Sequence, residues 1–284
     1  MTADTSTQAG PEGLPRPRKR RGSRRAQTLV IQLAIVAVFV LMWEFLPQVD
    51  WLSERYKFLD PFFISSPTEV ARTLGELVTG SNGRPSLWPY ARQTLQAALI
   101  GTAIGTLLGA GCGLVLSHSE RATEVLRPFI VALNAVPRIA IIPIFVILFG
   151  PSATAAIVTA VTVVFFVVFF NAYEGGRSVP PEVLQNARLL GASHMQVMLR
   201  FRWPYALAWT VAALPNAIAF GLLIVVTTEI LSGTAGLGRL ILDSTTSLQA
   251  DLTFAVVIVL SVFGIAFVAL TELLRRRWLH WWTQ

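Results

Sequence analysis

The chain has 284 residues, of which 54% are hydrophobic and 14% are charged, whereas a typical soluble domain carries roughly 25% charged residues. Its mean hydropathy of +0.60 predicts a membrane protein and excludes an ordinary soluble domain. The net charge of +7 does not indicate nucleic-acid binding, because the basic residues lie in short segments that flank apolar runs. The single cysteine, Cys112, cannot form an internal disulfide, and the three histidines are too scattered to predict a metal site.

Six apolar runs are long enough to cross a bilayer as helices, which takes roughly 20 residues each. They predict membrane spans at 28–46, 93–117, 128–150, 152–173, 204–230 and 252–273. Because only helices satisfy their own backbone polar groups in lipid at this composition, the predicted fold is an all-α polytopic membrane protein with six transmembrane helices. Residues 1–27 are interpreted as a disordered, basic cytoplasmic tail, and residues 28–284 as the transmembrane domain.

The orientation follows from the basic residues outside the spans. Lys and Arg are concentrated in the N-terminal tail, in the segment 174–203 and after the last span, and they are sparse in the segments between. Since cytoplasmic segments carry an excess of Lys and Arg, both termini are predicted to be cytoplasmic. The first apolar run is long and no small-residue cleavage site follows it, so it is interpreted as an uncleaved first helix.

The outer segment between the first two spans contains the sequence SPTEVARTLGELV, which predicts an amphipathic helix at the outer membrane surface. Ser66 or Thr68 is placed to cap its N-terminus. Val70, Leu74 and Val78 fall on one face and are expected to be its apolar side.

A row of glycines in the second span predicts a close contact between helices. Gly101, Gly105 and Gly109 repeat every four residues, and Gly113 continues the row. Small residues at this spacing let two helices approach closely. Packing within one chain and an interface between two copies are both compatible with the pattern.

Polar side chains within the spans are candidates for a translocation path, because they are costly in lipid and usually face an interior. In chain order these candidates are Asn134, Arg138, Asn171, Asn216 and Glu229. Arg138, which follows Pro137, leads them and indicates a kinked helix that lines a cavity; alternatively, its side chain reaches back to the inner headgroups. The asparagines could instead bond between helices, and Glu229 could cap a helix or hold an outer gate.

The chain lacks the motifs that would make it an energy-converting enzyme. A P-loop needs Gly-Lys-Ser/Thr, but the lysines Lys19 and Lys57 follow Arg18 and Tyr56. There is no G-x-S-x-G or H-E-x-x-H motif. The energy for any pumping is therefore expected to come from a partner or an ion gradient.

The segment 174–203 is polar although it lies between two strongly apolar spans. Pro180-Pro181 is suited to a helix start, with Glu182 in the first turn, where the helix dipole favours an acid. Val183, Ala187 and Leu190 are expected to form one face, and Gly191 permits the helix to end. A second helical stretch, 193–201, leads into the fifth span. This loop predicts a short cytoplasmic helix, parallel to the membrane, whose shape suits a groove in another protein.

The spacing in this loop resembles the EAA loop of bacterial ABC importer permeases, which reads E-A-A, three residues, G, nine residues, I-x-L-P. Ala187, Gly191 and Pro204 stand at their places. The chain departs from the pattern in four residues: Gln185, Asn186, Phe201 and Trp203. The stretches AVPRIAIIPIFVILFG, FFVVFFNAYEGGRSV and TTEILSGTAGLGRLI resemble the nitrate/sulfonate/taurine-type subfamily.

The resemblance implies a type I ABC importer permease fold in the bacterial inner membrane. It implies pairing with a second permease copy, two cytoplasmic ATPase subunits that hold ATP and Mg²⁺, and a periplasmic or lipid-anchored binding protein. No cofactor is expected in this chain itself. The subfamily resemblance points to a sulfonate, nitrate or a related small organic anion, although relatives of similar sequence also carry thiamine precursors and other heteroaromatic molecules. The residues expected to contact the ATPase are Glu182, Gln185, Asn186, Ala187, Arg188, Gly191 and Ala192.

Other hypotheses remain open from sequence alone. A gradient-driven secondary transporter or channel would need a gradient-coupling site, and its transport would survive without ATP. A membrane scaffold or enzyme without transport activity would have no ATPase partner. The helix after Pro180 could also be an ordinary solvated loop helix. Each hypothesis predicts a different dependence on an ATPase.

Overall fold

The computed structural model describes residues 21–49, 51, 55–56 and 60–278, and the regular structure within these ranges is helical. The first four helices are α1 (Arg21–Phe45), α2 (Pro61–Ile64), α3 (Pro67–Thr79) and α4 (Leu87–Ser117). The next four are α5 (Glu120–Ala135), α6 (Arg138–Phe149), α7 (Ala153–Arg177) and α8 (Pro181–Leu189). The last four are α9 (His194–Val197), α10 (Trp203–Ser232), α11 (Leu237–Thr246) and α12 (Ala250–Trp278).

Five helical stretches of the described chain are long and apolar enough to cross a membrane: Gln27–Gln48, Leu87–Ser117, Ala153–Arg177, His194–Ser232 and Ala250–Leu273. They correspond to the first, second, fourth, fifth and sixth predicted spans. Helix α1 begins at Arg21, within the segment interpreted as a disordered tail, because arginine is a good helix former and the helix extends past the apolar run. Residues 1–20 of that tail lie outside the described residues.

The third predicted span, 128–150, is not one straight helix. Helices α5 and α6 meet at an angle of 83°. Between them, Val136 has extended backbone with ψ of 125°, which is the conformation favoured before a proline such as Pro137. Helix α6 has 12 residues and is only about 18 Å long, less than the hydrocarbon thickness. Within the described residues there are therefore six candidate spans only if this bent pair counts as one.

The glycine row of α4 packs against α7 of the same chain. A Cβ atom at Gly109 would lie 2.5 Å from the carbonyl oxygen of Phe165, and one at Gly113 would lie 2.5 Å from that of Phe169. The two backbones are thus close enough to exclude any side chain at these positions. Of the two interpretations of the row, packing within one chain is the one that the structure confirms.

Helix α3 packs on the outer end of the bundle. Ser66 is its N-cap and accepts a hydrogen bond from the Glu69 amide at 3.3 Å. Of the two capping residues predicted, Ser66 and Thr68, it is therefore Ser66 that caps the helix. Val70, Thr73 and Leu77 are buried, whereas Val78 is 45% exposed, so the expected face was wrong at Val78. The buried stripe turns toward α12 because α3 contacts protein on one side rather than lying free on lipid.

A charged network ties this outer layer together. The Arg84 guanidinium donates to Glu76 at 2.9 Å and to Asp251 at 2.6 Å. Thr73 Oγ1 also donates to Asp251, at 2.7 Å. Asp251 lies in the first turn of α12, so the network joins α3 to the start of the last span.

Candidate functional site

Helix α8 begins and ends where the sequence predicts. Pro181 is its first residue and Glu182 lies in its first turn. At the C-terminus, the Ala192 amide donates to the Ala187 carbonyl at 3.0 Å and the Gly191 amide donates to the Arg188 carbonyl at 2.9 Å. This is the Schellman pattern, which needs a left-handed residue, and Gly191 has a φ of +81°. Gly191 therefore stops α8 and lets the chain turn back toward the bundle.

The exposed side of α8 is apolar at its end. Ala187 is buried against the chain, whereas Leu189 and Leu190 are 84% and 88% exposed. The predicted common face of Val183, Ala187 and Leu190 was therefore wrong, because Leu190 lies beyond the last helical turn and points elsewhere. Two neighbouring leucines that nothing in the described chain covers form a small apolar surface suited to contact with another protein.

A second cap starts the return to the membrane. Ser193 Oγ accepts from the Gln196 amide at 3.2 Å, and Gln196 Oε1 accepts from the Ser193 amide at 2.8 Å. This capping box begins α9, and a five-residue π turn, Met198–Arg202, then runs into α10 without a loop. This end of the loop is therefore continuous with the fifth span as one helical stretch.

The same helix is attached to the ends of α4 and α7, at what we term the junction. The Arg202 guanidinium donates a hydrogen bond to the Ser117 carbonyl at the end of α4. A Cβ at Gly176 would lie 2.2 Å from Ser117 Oγ, and a Cβ at Gly175 would lie 2.7 Å from Trp209. The Gly-Gly pair near the end of α7 thus permits three helices to meet beside the loop.

A histidine pair completes the junction. The rings of His118 and His194 lie 5.8 Å apart in an edge-to-face arrangement. Burial lowers the pKa of His118, and the nearby cations of Arg202 and Arg188 lower it further, as does His194. These effects favour the neutral form of the His118 ring, which packs edge-to-face on His194 at the start of α9.

Arg138 and Asn134 meet at the break between α5 and α6. Arg138 Nη1 donates to the carbonyls of Leu133 and Val136 at 2.8 and 3.0 Å, and Nη2 donates to Asn134 Oδ1 at 3.1 Å. Its guanidinium carbon lies 4.5 Å from the ring centroid of Phe166. The kink expected at Arg138 is present as the 83° bend, and the Arg138 side chain caps carbonyls that the broken helix leaves free. A cavity-lining role and a reach to the inner headgroups both stay predictions.

Asn171 and Asn216 have no recorded contact with Arg138 or Asn134 within the described residues. Asn171 Nδ2 donates to the Val167 carbonyl of its own helix at 2.7 Å. Asn216 is exposed on α10. The bond of Asn171 is local and does not join two helices. The path residues predicted from sequence therefore do not form one cluster.

Glu229 holds the start of α11. Its carboxylate accepts from Thr94 Oγ1 at 2.8 and 2.9 Å and from the Gly238 amide at 2.9 Å. Thr94 Oγ1 in turn accepts from the Leu237 amide at 2.8 Å. The carboxylate and hydroxyl satisfy the first amides of a helix, where a negative group is favoured. The cap foreseen for Glu229 is confirmed, and it acts on α11.

Two glycines explain the Gly-Leu-Gly sequence beside this carboxylate. A Cβ at Gly236 would lie 2.2 Å from Glu229 Cδ, and one at Gly238 would lie 2.5 Å from the Val226 carbonyl oxygen. Thr94 was missed from sequence because an isolated threonine in an apolar span carries no signal of a distant partner. Ser117, Gly175, Gly176 and Arg202 were missed as junction residues for the same reason, although the Gly-Gly pair is a visible signal of close packing.

The arrangement defines a class of protein: a polytopic helical bundle with a helical loop that presents an apolar surface outside the spans. Comparison with known proteins gives the particular family. Residues 101–280 match the model for binding-protein-dependent transport system inner membrane components. This match covers more than half of the chain, so the chain belongs to that family. It is a multi-pass inner-membrane permease subunit of an ABC importer.

Individual relatives agree along nearly the whole chain. A probable ABC transporter permease protein of Haemophilus influenzae is 28% identical, over 82% of this chain and 89% of that protein. The putative aliphatic sulfonates transport permease protein SsuC of Bacillus subtilis is 26% identical, over 93% of this chain and 91% of that protein. Other relatives are named for taurine, riboflavin and nitrate transport.

Solved structures agree on the fold. An inward-facing conformation of the MetNI methionine ABC transporter superposes with a TM-score of 0.61 at 17% identity, covering 67% of this chain and 95% of that one. At this identity the likeness concerns the fold alone. The fold is that of a type I ABC importer permease, as the sequence predicts, with the third span broken.

Proposed function

We propose that the loop 174–203 receives the work of ATP hydrolysis from a separate ATPase dimer, and that the chain, paired with a second copy, conducts a small organic anion into the cell. The observation that carries the proposal is the continuity of the loop with α10 through the π turn. A push on α8 would reach the fifth span directly, and through Arg202 and Ser117 it would reach the second span. Such rigid transmission suits an alternating-access switch.

Contact with the ATPase is assigned to α8 and its C-terminal turn. Leu189 and Leu190 supply the apolar anchors, and Glu182, Gln185 and Arg188 supply exposed polar groups around them. Asn186 is exposed as well, whereas Ala187 faces inward and positions the helix. With Gln185 where the family pattern has Glu, a contact there would be a neutral hydrogen bond. Gly191 and Ala192 form the turn that presents this surface.

The proposed solute is a small sulfonate, nitrate or related organic anion, delivered by a binding protein outside the cell. The support is the resemblance to sulfonate and taurine permeases along most of the chain. Calorimetry on the binding protein that supports uptake through this chain, titrated with taurine, butanesulfonate, nitrate and riboflavin, tests the solute. Preferential binding of riboflavin would contradict the anion.

Co-purification tests the partner. The full chain is expressed with its proposed ATPase subunit, and wild type is compared with two variants, Leu190→Glu and Val78→Glu. Val78→Glu places the same charge on an exposed apolar residue of the outer helix. A charge in an apolar contact is expected to weaken association on the order of tenfold or more. Equal recovery of the ATPase with both variants would contradict the assigned surface.

A further inference from the structure

A cavity of about 370 Å³ lies between α5 and the C-terminal ends of α4 and α7. Much of its wall is apolar, from Leu, Ile, Val and Phe side chains that include Phe169 and Phe170. Its charged lining comes from Arg127, Glu174 and Arg177. A cavity with an apolar wall and a few converging charged groups is the usual form of a ligand site.

The two arginines are available to a ligand. Neither Arg127 nor Arg177 forms an ion pair with another residue in the described ranges. Arg177 lies over the Tyr173 ring, with 5.6 Å between its guanidinium carbon and the ring centroid, and Tyr173 stacks on Phe169. The stack orients the Arg177 side chain without neutralising it. With one carboxylate against two guanidinium groups, the lining favours an anion.

The charged end of the cavity lies at the predicted edge of the membrane. The fourth span predicted from sequence ends at residue 173, so Tyr173 falls at its boundary, where Tyr is enriched, and Glu174 and Arg177 fall in the interfacial region. In the predicted orientation this is the inner leaflet, which carries anionic lipids.

We propose that this cavity binds the headgroup of an anionic phospholipid of the inner leaflet. Arg127 and Arg177 would hold the phosphate, and the apolar wall would contact the glycerol and the upper acyl chain. A small free anion would satisfy the arginines but leave the apolar wall in water, so a lipid matches both halves of the lining. Glu174 and Arg177 are among the first residues of the loop 174–203, but the lipid assignment rests neither on the solute nor on the ATPase contact proposed for α8; it rests on the orientation.

Native mass spectrometry of the full chain, titrated in neutral detergent with phosphatidylglycerol or phosphatidylcholine, tests the site. We expect selective retention of phosphatidylglycerol, with binding about tenfold weaker in Arg127→Gln and in Arg177→Gln. Arg121→Gln, an exposed arginine of α5 outside the cavity, is the matched control and should bind as the wild type does.

A variant that is expected to strengthen lipid binding distinguishes the site from a folding defect, because misfolding would not raise the affinity. Glu174→Gln removes the one carboxylate of the lining and should strengthen phosphatidylglycerol binding severalfold. Equal affinity for the two lipids, or no change in all three cavity variants, would overturn the proposal. Arginine-dependent binding of butanesulfonate in lipid-free detergent, without preference for phosphatidylglycerol, would assign the cavity to a free anion and also overturn it.

Discussion

At the scale of single residues, Thr94 and Glu229 connect positions 135 residues apart. Thr94→Val keeps the shape of the side chain but removes the donor to Glu229 and the acceptor of the Leu237 amide. We expect a loss of about 1–3 kcal/mol of stability, because a buried carboxylate and an amide lose partners. Thr227→Val is the control, since that exposed hydroxyl bonds only to its own helix. Thermal unfolding in detergent measures both, and an equal effect of the two variants would refute the cap.

Glu76 gives a pH-dependent expectation in the outer network. Its pKa is lowered chiefly by the hydrogen bond from Asn82, and the adjacent Arg84 lowers it further. A carboxylate whose pKa is lowered by folding stabilises the folded state at pH values above its ordinary pKa of about 4.3. This stabilisation is lost as the pH falls through the pKa of the folded state. Glu76→Gln should therefore melt below wild type at pH 7, with the gap closing at strongly acidic pH. A gap that does not change with pH would show that the carboxylate charge is not involved.

At the scale of elements, the contact between α4 and α7 holds the bundle. Gly109→Ala places a methyl group 2.5 Å from a backbone oxygen and should destabilise the chain by about 1–3 kcal/mol. Gly111→Ala, in the same helix, meets nothing within 4 Å and should be neutral or slightly stabilising. Melting temperatures of the two variants test this difference. Equal melting temperatures would mean that the helices are not in close contact.

The turn after α8 requires a residue that tolerates a left-handed backbone. Gly191 has a φ of +81° and open space around it, so an added side chain meets strain and no clash. Gly191→Ala should lower stability by about 1–2 kcal/mol, whereas Gly191→Asn, which tolerates this backbone better, should lower it less. Thermal unfolding of both variants measures the difference. The reverse order would indicate that the turn is not left-handed in the membrane.

At the scale of the whole molecule, the apolar runs predict where most helices lie, because length and hydropathy are properties of the chain itself. Turn chemistry around Gly191 and Ser193 is likewise local, and the sequence predicts it. A kink beside Pro137 is predicted from the sequence, but its angle of 83° and the division into two helices are not, since apolar residues continue on both sides of Pro137. The partner of the glycine row and the Thr94–Glu229 bond depend on which helices become neighbours, and a single sequence does not state that.

In the proposed function, force enters through the loop 174–203 and reaches the membrane gate through α10. The most direct measurement is solute uptake into proteoliposomes that contain the full chain, its ATPase and its binding protein, with and without ATP. Wild type and Val78→Glu should take up solute only with ATP, and Leu190→Glu should lose uptake on the order of tenfold or more. Uptake without ATP, or full uptake by Leu190→Glu, would contradict the account.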